Sequence, residues 1–352
     1  MNILENVPLS GYSTMRLGGN AAYLSEINQK IEVTEAVAWA KERNLPIIMI
    51  GVGSNIVWKD EGFPGLILVN KIMGFEVFSE DEENIYITAG AGENWDSVVE
   101  RAVATGKSGL EYLSLIPGTV GGAPVQNIGA YGHELAETFV SLEAYDMQTG
   151  GLVNIPAIEC EFGYRTSRFK TTDRGRFLIT SLTLHLIKQI QEPVYYHWLE
   201  DYLKTHQITH PSPTDIRRAV IEIRRSRLPD PTLVANVGSF FANPIVSSDK
   251  YQELVEQHPR LASWPSRCFW DLPDGSYKVA AGALLEYIGF KDFHDETTGM
   301  ATWQNQALVL VNEHANSTAD LLAFKKIIVD KVKQIFDMTL EQEPELLPIA
   351  SL

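Results

Sequence analysis

Residues 116–132 read Ile-Pro-Gly-Thr-Val-Gly-Gly-Ala-Pro-Val-Gln-Asn-Ile-Gly-Ala-Tyr-Gly and belong to the longest uncharged run of the chain, Leu113 to Gly132. Gly118, Gly121, Gly122, Gly129 and Gly132, with Pro117 and Pro124, rule out a membrane helix here, since glycine and proline are the two poorest helix formers. The run therefore reads as an ordered loop. Uncharged loops of this length inside a domain are usually functional, and so many glycines suggest backbone groups lining a buried cofactor; the alternative is a long structural loop.

Working outward, a second glycine-rich turn lies upstream. Ile31 to Arg43 has helical periodicity, Leu45 to Ile50 is a short apolar strand, and Gly51-Val52-Gly53-Ser54-Asn55 follows directly. Two glycines allow close backbone approach and consecutive exposed N–H groups form a nest for an anion such as a pyrophosphate, or else only a tight turn. The turn is neither GxGxxG nor a Walker loop, so neither a dinucleotide Rossmann fold nor an ATPase follows. Ile67 to Asn70 reads as a further strand, closing a small αβ unit. Asn84 to Ala91 (strand), Trp95 to Thr105 (helix), and the strands Val140 to Asp146 and Phe177 to Ile187 make a second, α+β unit, with Thr149-Gly150-Gly151 as a hairpin turn. The aromatic, proline-bearing stretch Glu192 to Pro213 reads as an inter-domain connection with its own ordered contacts, with a boundary near Thr214. Beyond it lie a basic helix (Asp215 to Ser226), another at Tyr251 to His258, and a long amphipathic helix, Ser317 to Met338, with Leu321, Phe324, Ile328, Val332 and Ile335 on one stripe and Ser317 and Asp320 at capping-box spacing.

The whole chain of 352 residues is 45% hydrophobic, 21% charged and 10% aromatic, enough for two or three domains with sizeable cores. Its net charge of -16 disfavours nucleic acid and anionic membranes and makes small-molecule chemistry the default. Cys160 and Cys268, with no CxxC spacing, read as buried thiols of a reducing compartment, and the histidines form no metal-binding pattern, so no metal is expected. The N-terminal sequence lacks a secretory pattern, which points to the cytoplasm. A monomer is expected, because no apolar helix stripe is left over.

Other motifs are Phe162-Gly163-Tyr164-Arg165, Arg227-Leu-Pro-Asp-Pro231 and Asn236-Val-Gly-Ser-Phe-Phe-Ala-Asn-Pro244. Ser239, in a glycine-preceded turn beside two phenylalanines, is either a cap or a hydroxyl in a dry pocket; with no GxSxG elbow, proton donation is favoured over a hydrolytic triad. Arg217, Arg218, Arg224 and Arg225 recur at helical spacing, as a solvated face or a phosphate site. Glu341-Gln-Glu-Pro-Glu345, by itself, reads as an acidic tail.

In this order, GVGSN, IPGTVGGAPVQNIGAYG, FGYR, RLPDP, GSFFANP, NQALVLVN and LEQEPE resemble the UDP-N-acetylenolpyruvoylglucosamine reductases, from about Ser13 to Glu345. The resemblance implies an α+β fold: a two-subdomain FAD-binding region of the vanillyl-alcohol-oxidase type (1–70 and 71–213, the latter with a closing loop), then an α+β substrate-binding domain (214–352) whose tail returns to the active site. It implies that NADPH reduces FAD, which then reduces UDP-N-acetylglucosamine enolpyruvate to UDP-N-acetylmuramate for bacterial peptidoglycan. FAD would be held by Gly51, Val52, Gly53, Ser54, Asn55, Gly118, Gly121, Gly122, Gln126, Asn127, Gly129 and Ala130. The resemblance implies that Arg165 and Glu345 stabilise the substrate carboxylate and Ser239 protonates the enolate carbon, while Tyr131, Tyr196, Arg224, Arg227, Asn243, Lys291 and Gln306 contact substrate. Tyr196 would close over the diphosphate, with Tyr195 as the alternative.

Departures from the family pattern are Arg227 for the usual lysine, Ala242 where a basic residue is common, Trp303 and Asn305 before QALVL, a longer approach to Pro344 and a longer stretch after Lys291. Rival readings are an oxidase of the same flavin fold and a nucleotide-sugar-binding protein without catalysis; nucleic-acid binding rests only on the Arg217 to Arg227 helix.

Overall fold

The computed structural model describes residues 1–188, 195–264 and 267–349. The first unit comprises β1 (Leu4–Pro8), β2 (Asn20–Ile27), α1 (Lys30–Glu42), β3 (Ile47–Ile50), β4 (Ile56–Trp58) and β5 (Phe63–Asn70). β2, β5 and β3 are parallel and β1 adds an antiparallel edge, in the order β1-β2-β5-β3. Ile47, Leu66 and Leu68 pack with Val33, Ala36, Val37 and Ala40 of α1, while Ile48, Ile50, Ile67 and Val69 pack with Leu9, Trp58 and Phe63 in a second cluster. Burial on both faces explains why these strands read as unbroken apolar runs.

In the second unit β6 (Phe75–Glu80), β7 (Asn84–Gly90), β10 (Phe139–Asp146), β11 (Gly151–Pro156) and β12 (Phe177–Ile187) form an antiparallel sheet in the order β11-β10-β12-β7-β6. The remaining elements are α2 (Trp95–Val103) and the short ribbon β8 (Gly129–Ala130) with β9 (His133–Glu134). Trp95, Val98, Val99 and Ala102 of α2 lie in one core with Ile85, Ile87, Leu142, Leu182 and Leu184 of the sheet. The loop 116–132 enters that core through Val120, Ala123 and Ile128, which fixes its path with little regular structure.

The connection has ordered contacts of its own, in the form of a helix. Residues 189–194 lie outside the described residues, but α3 (His197–Thr205) and α4 (Pro213–Arg227) follow. Leu199 and Leu203, four apart, put one apolar face of α3 on Ile216, Ala219 and Val220 of α4, around Tyr112. Thus α4, assigned by sequence to the C-terminal domain, packs on the second unit, and the chain leaves it only after Arg227. The proline and aromatic density had hidden the i,i+4 leucine pair.

The third unit contains β13 (Ala235–Ser239), β14 (Ile245–Val246), α5 (Ser248–Gln257), α6 (Pro259–Ala262), β15 (Phe269–Asp271), β16 (Tyr277–Val279), α7 (Ala281–Tyr287), β17 (His294–Asp295), β18 (Met300–Trp303), β19 (Gln306–Asn312) and α8 (Thr318–Phe336). Its sheets run β13-β19-β18-β17 and β14-β16-β15. Leu321, Phe324, Ile328, Val332 and Phe336 of α8 are buried; Phe336 completes the stripe, with Ile335 only partly buried. Ser317 and Asp320 form the expected capping box.

The last strand, β20 (Glu345–Leu347), pairs in parallel with β4, Glu345 opposite Ile56. The expected free acidic tail is therefore a strand returned to the first unit. Asp60 reinforces this closure, accepting from the N–H groups of Thr318 (2.7 Å) and Ala319 (2.9 Å) at the start of α8.

Candidate active site

The two glycine-rich turns face each other. Ser54 Oγ donates to the Pro117 carbonyl (2.8 Å) and Asn55 Nδ2 to Gln126 Oε1 (2.6 Å), tying the end of β3 to the loop 116–132. Between them opens a cleft of about 960 Å³ lined by Gly51, Val52, Gly53, Ser54, Asn55, Gly118, Gly122, Gln126 and Gly129. Gly53 has φ +72 and a Cβ there would overlap the Tyr12 carbonyl, so glycine is required. At Gly122 a Cβ would meet nothing closer than 4.0 Å and would project into open space. Among the described residues, the amides of Val52, Gly53 and Ser54 have no acceptor. Unpaired donors around a large, mostly apolar cleft fit an elongated anionic cofactor such as FAD.

Arg165, Arg224, Ser239, Glu343 and Glu345 line the same cleft. Arg165 has left-handed backbone (φ +55); its Nη2 donates to the Gly129 carbonyl (2.7 Å) and its Nε lies 3.3 Å from Glu343 Oε1. Burial pushes the Glu343 carboxyl above its ordinary range, against the pull of Arg165 and Lys170. Glu345 lies 3.7 Å from Arg174. Ser239 ends β13 after a bulge, next to Gly238 (φ +74), with no hydrogen-bond partner for its hydroxyl among the described residues. The turn thus aims the hydroxyl into the cleft rather than capping a helix.

A second, aromatic and cationic sector adjoins it. Tyr131 and Tyr196 meet edge-on at 6.0 Å, and the Arg227 guanidinium lies 3.7 Å over the Trp198 ring. Burial raises both phenols, Tyr196 to about 12, so both stay protonated donors. The buried atoms Arg227 Nε and His197 Nε2 lack partners among the described residues, a costly state that an anionic ligand would relieve. Across from them, Asn243 Nδ2 donates to Tyr164 Oη (3.4 Å), and Lys278 Nζ sits 5.0 Å over Tyr164 and 5.3 Å over Trp270. Burial, then Arg165, lowers the Lys278 pKa, as expected for a cation in a crowded positive field.

Two family profiles match the chain. A profile described as FAD binding domain matches residues 22–155, and one described as UDP-N-acetylenolpyruvoylglucosamine reductase, C-terminal domain, matches residues 230–347. The UDP-N-acetylenolpyruvoylglucosamine reductase of Ralstonia nicotianae is 40% identical over 96% of this chain and 97% of its own length. That of Pseudomonas fluorescens is 39% identical over 98% of both.

The chain belongs to the UDP-N-acetylenolpyruvoylglucosamine reductase family.

The crystal structure of the reductase from Thermus caldophilus has the same fold, with a TM-score of 0.67 at 22% identity, covering 99% of this chain and all of its own. The fold is α+β, an FAD-binding domain followed by the C-terminal domain of this reductase family.

Not every residue chosen from sequence reaches the cleft of this reductase. Asn127 is fully buried, donating to Glu134 (2.6 Å) and the Gly163 carbonyl (3.2 Å) and accepting from Ala136 N–H (3.0 Å); it holds the loop's shape. Gly121 packs against Ala91, and Ala130 lies in β8 beside the core. Lys291 sits 3.5 Å from Glu286 with its side chain 50% exposed, and Gln306 Oε1 accepts from Leu308 N–H (3.4 Å); neither lines the cleft. The basic helix α4 divides its arginines: Arg217 pairs with Asp96, Arg218 with Asp215, and Arg224 donates to the Leu115 carbonyl (3.3 Å). Tyr195 and Tyr131 both pack against the cluster around Tyr112, and Tyr196 meets Tyr131 edge-on. Lys278, Lys170 and Glu343 went unnoticed in the sequence, because a lone lysine or one glutamate in an acidic run carries no pattern.

Proposed function

We propose that the protein reduces UDP-N-acetylglucosamine enolpyruvate to UDP-N-acetylmuramate with NADPH as reductant. The observation that carries this is the convergence of Ser239, Arg165 and two carboxylates where the glycine-lined cleft meets the cationic, aromatic sector. When bound, FAD supplies the hydride chemistry, accepting hydride from NADPH and delivering one to the methylene carbon of the enolpyruvyl group. Gly51 to Asn55 and residues 116–132 would hold it through backbone amides.

Hydride arriving beside a carboxylate builds enolate charge, and the Arg165 guanidinium is placed to oppose it, with Glu345 beside it in the cleft. The Ser239 hydroxyl then donates its proton to the carbon bearing the carboxylate. Serine is a weak acid, but the developing carbanion is a far stronger base, and a hydroxyl with no protein partner is free to turn toward it. Arg224, Arg227 and Lys278 supply positive charge for the diphosphate, and Tyr196, a protonated donor, closes over it and excludes water. Asn243 Oδ1, accepting from Ala281 N–H (3.0 Å), is fixed for its contact. Lys291 and Gln306 are assigned to the nucleotide end, beyond the cleft. The division at 70 and 213 into two cofactor subdomains and a substrate domain is supported by the separate main sheets of the three units, although α4 packs on the second. On this reading the enzyme works as a cytoplasmic monomer supplying peptidoglycan precursors, and so bears on cell shape and division.

Anaerobic visible spectroscopy tests the proposal. A flavin spectrum should bleach with NADPH and return on adding the enolpyruvyl substrate. Bleaching without return would remove the substrate, and recovery with oxygen alone at comparable rate would favour an oxidase.

A further inference from the structure

Glu343 shares the cleft with Glu345 but has no step in the reaction as derived. It is the more enclosed of the two, with 13% side-chain exposure against 18%. Its backbone is anchored at both ends: its N–H donates to the Phe240 carbonyl (3.0 Å), and its own carbonyl accepts from Lys170 Nζ (3.2 Å). Its carboxylate therefore has little freedom, and it meets Arg165 Nε at 3.3 Å.

Arg165 is constrained from the other side as well. Its Nη2 donates to the Gly129 carbonyl, and a Cβ on Gly129 would come within 2.8 Å of Nη1, so the guanidinium lies close against bare backbone. A guanidinium has five N–H donors. With one Nη2 hydrogen held by Gly129 and the Nε edge in ion-pair contact with Glu343, the Nη1 pair and the other Nη2 hydrogen remain for a ligand. A long side chain rising from left-handed backbone needs such fixing to present one edge reproducibly.

We propose that Glu343 is a positioning residue, whose carboxylate holds the Nε edge of Arg165 so that the opposite edge meets the substrate carboxylate. The proposal rests on the reading that Arg165 binds that carboxylate. Glu343 acts only through Arg165, whereas Glu345 remains available to substrate.

The test separates the two half-reactions by anaerobic stopped flow on the flavin-loaded enzyme. Glu343→Ala should slow reoxidation by the enolpyruvyl substrate by about tenfold to a hundredfold, the scale of a misplaced catalytic group. Reduction by NADPH and the calorimetric affinity for UDP-N-acetylglucosamine, which lacks the carboxylate, should each stay within about threefold, smaller than that effect. Glu343→Gln, which keeps the side chain's length and an oxygen facing Nε, should recover most of the lost rate. In an Arg165→Lys background, which lacks Nε, Glu343→Ala should add less than about twofold, because effects through a shared partner do not add. Reoxidation unchanged in Glu343→Ala, equal loss in both half-reactions, or full additivity with Arg165→Lys would each overturn the proposal. Should the alanine variant fail to retain flavin, Glu343→Gln decides, and a loss of about tenfold or more there overturns it. Failure of substrate to reoxidise the wild-type flavin would overturn the functional reading and this proposal together.

Discussion

At the scale of single residues, Ser239 and Arg165 share a physical origin: each is aimed by backbone that ordinary side chains avoid. Arg165 has φ +55, and Ser239 follows Gly238 at φ +74 within a bulge. Sequence revealed this only as glycine next to a chemically useful residue. Ser239→Ala is expected to leave reduction by NADPH unchanged and to slow reoxidation by substrate about 10²–10⁴-fold, the usual range for one proton donor; stopped-flow spectroscopy of each half-reaction checks it. Lys278→Ala, removing a charge from the diphosphate sector, should raise KM for the nucleotide-sugar substrate by roughly tenfold or more with kcat little changed, the effect of losing one hydrogen bond to a charged group. Cys160 offers a pH test: it is fully buried, and burial pushes its thiol up to about 12. Its thiolate is therefore scarce at neutral pH, and thiol reagents should label it at pH 8 only after unfolding.

At the scale of elements, α2 and α4 show how charge docks a helix that sequence assigned elsewhere. Arg217 grips Asp96 with both nitrogens, Nη1 to Oδ1 at 2.6 Å and Nη2 to Oδ2 at 3.0 Å. Burial works to raise the Asp96 pKa, but hydrogen bonds from Arg217 and Leu115 N–H outweigh it and the net shift is downward. A depressed folded pKa means that this contribution is complete above the ordinary carboxylate range, near pH 4, and is lost as pH falls through the lower folded value. Asp96→Asn should accordingly cost on the order of 1–3 kcal/mol near pH 7, and the difference from wild type should shrink in acid; denaturant melts at two pH values measure this. The Arg217 to Arg225 repeat was visible in sequence. Its division between Asp96, Asp215 and the cleft was not, because the helix period is known from sequence but its rotation toward a neighbour is decided by packing.

At the scale of the molecule, closure depends on contacts between distant segments. β20 joins β4, and Asp60 caps α8 across more than 250 positions of chain, contacts that no local pattern announces. Asp60→Ala should lower the stability of the flavin-free protein by about 1–2 kcal/mol, the usual cost of a lost helix cap, as seen in thermal melts. What the sequence alone determined was local: the strand and helix periods, the glycine turns where backbone can approach a ligand, and an ordered motif set whose resemblance names the family and singles out three candidate catalytic side chains. Tertiary structure decided everything that depends on direction. It put α4 on the second unit, Asn127 inside the loop rather than on the cleft lining, Tyr196 rather than Tyr195 edge-on to Tyr131, and Glu343 against Arg165. The reason is geometric: periodicity and composition are properties of neighbouring residues, whereas the partner a side chain meets is set by how separate cores pack and which buried polar atoms must be satisfied.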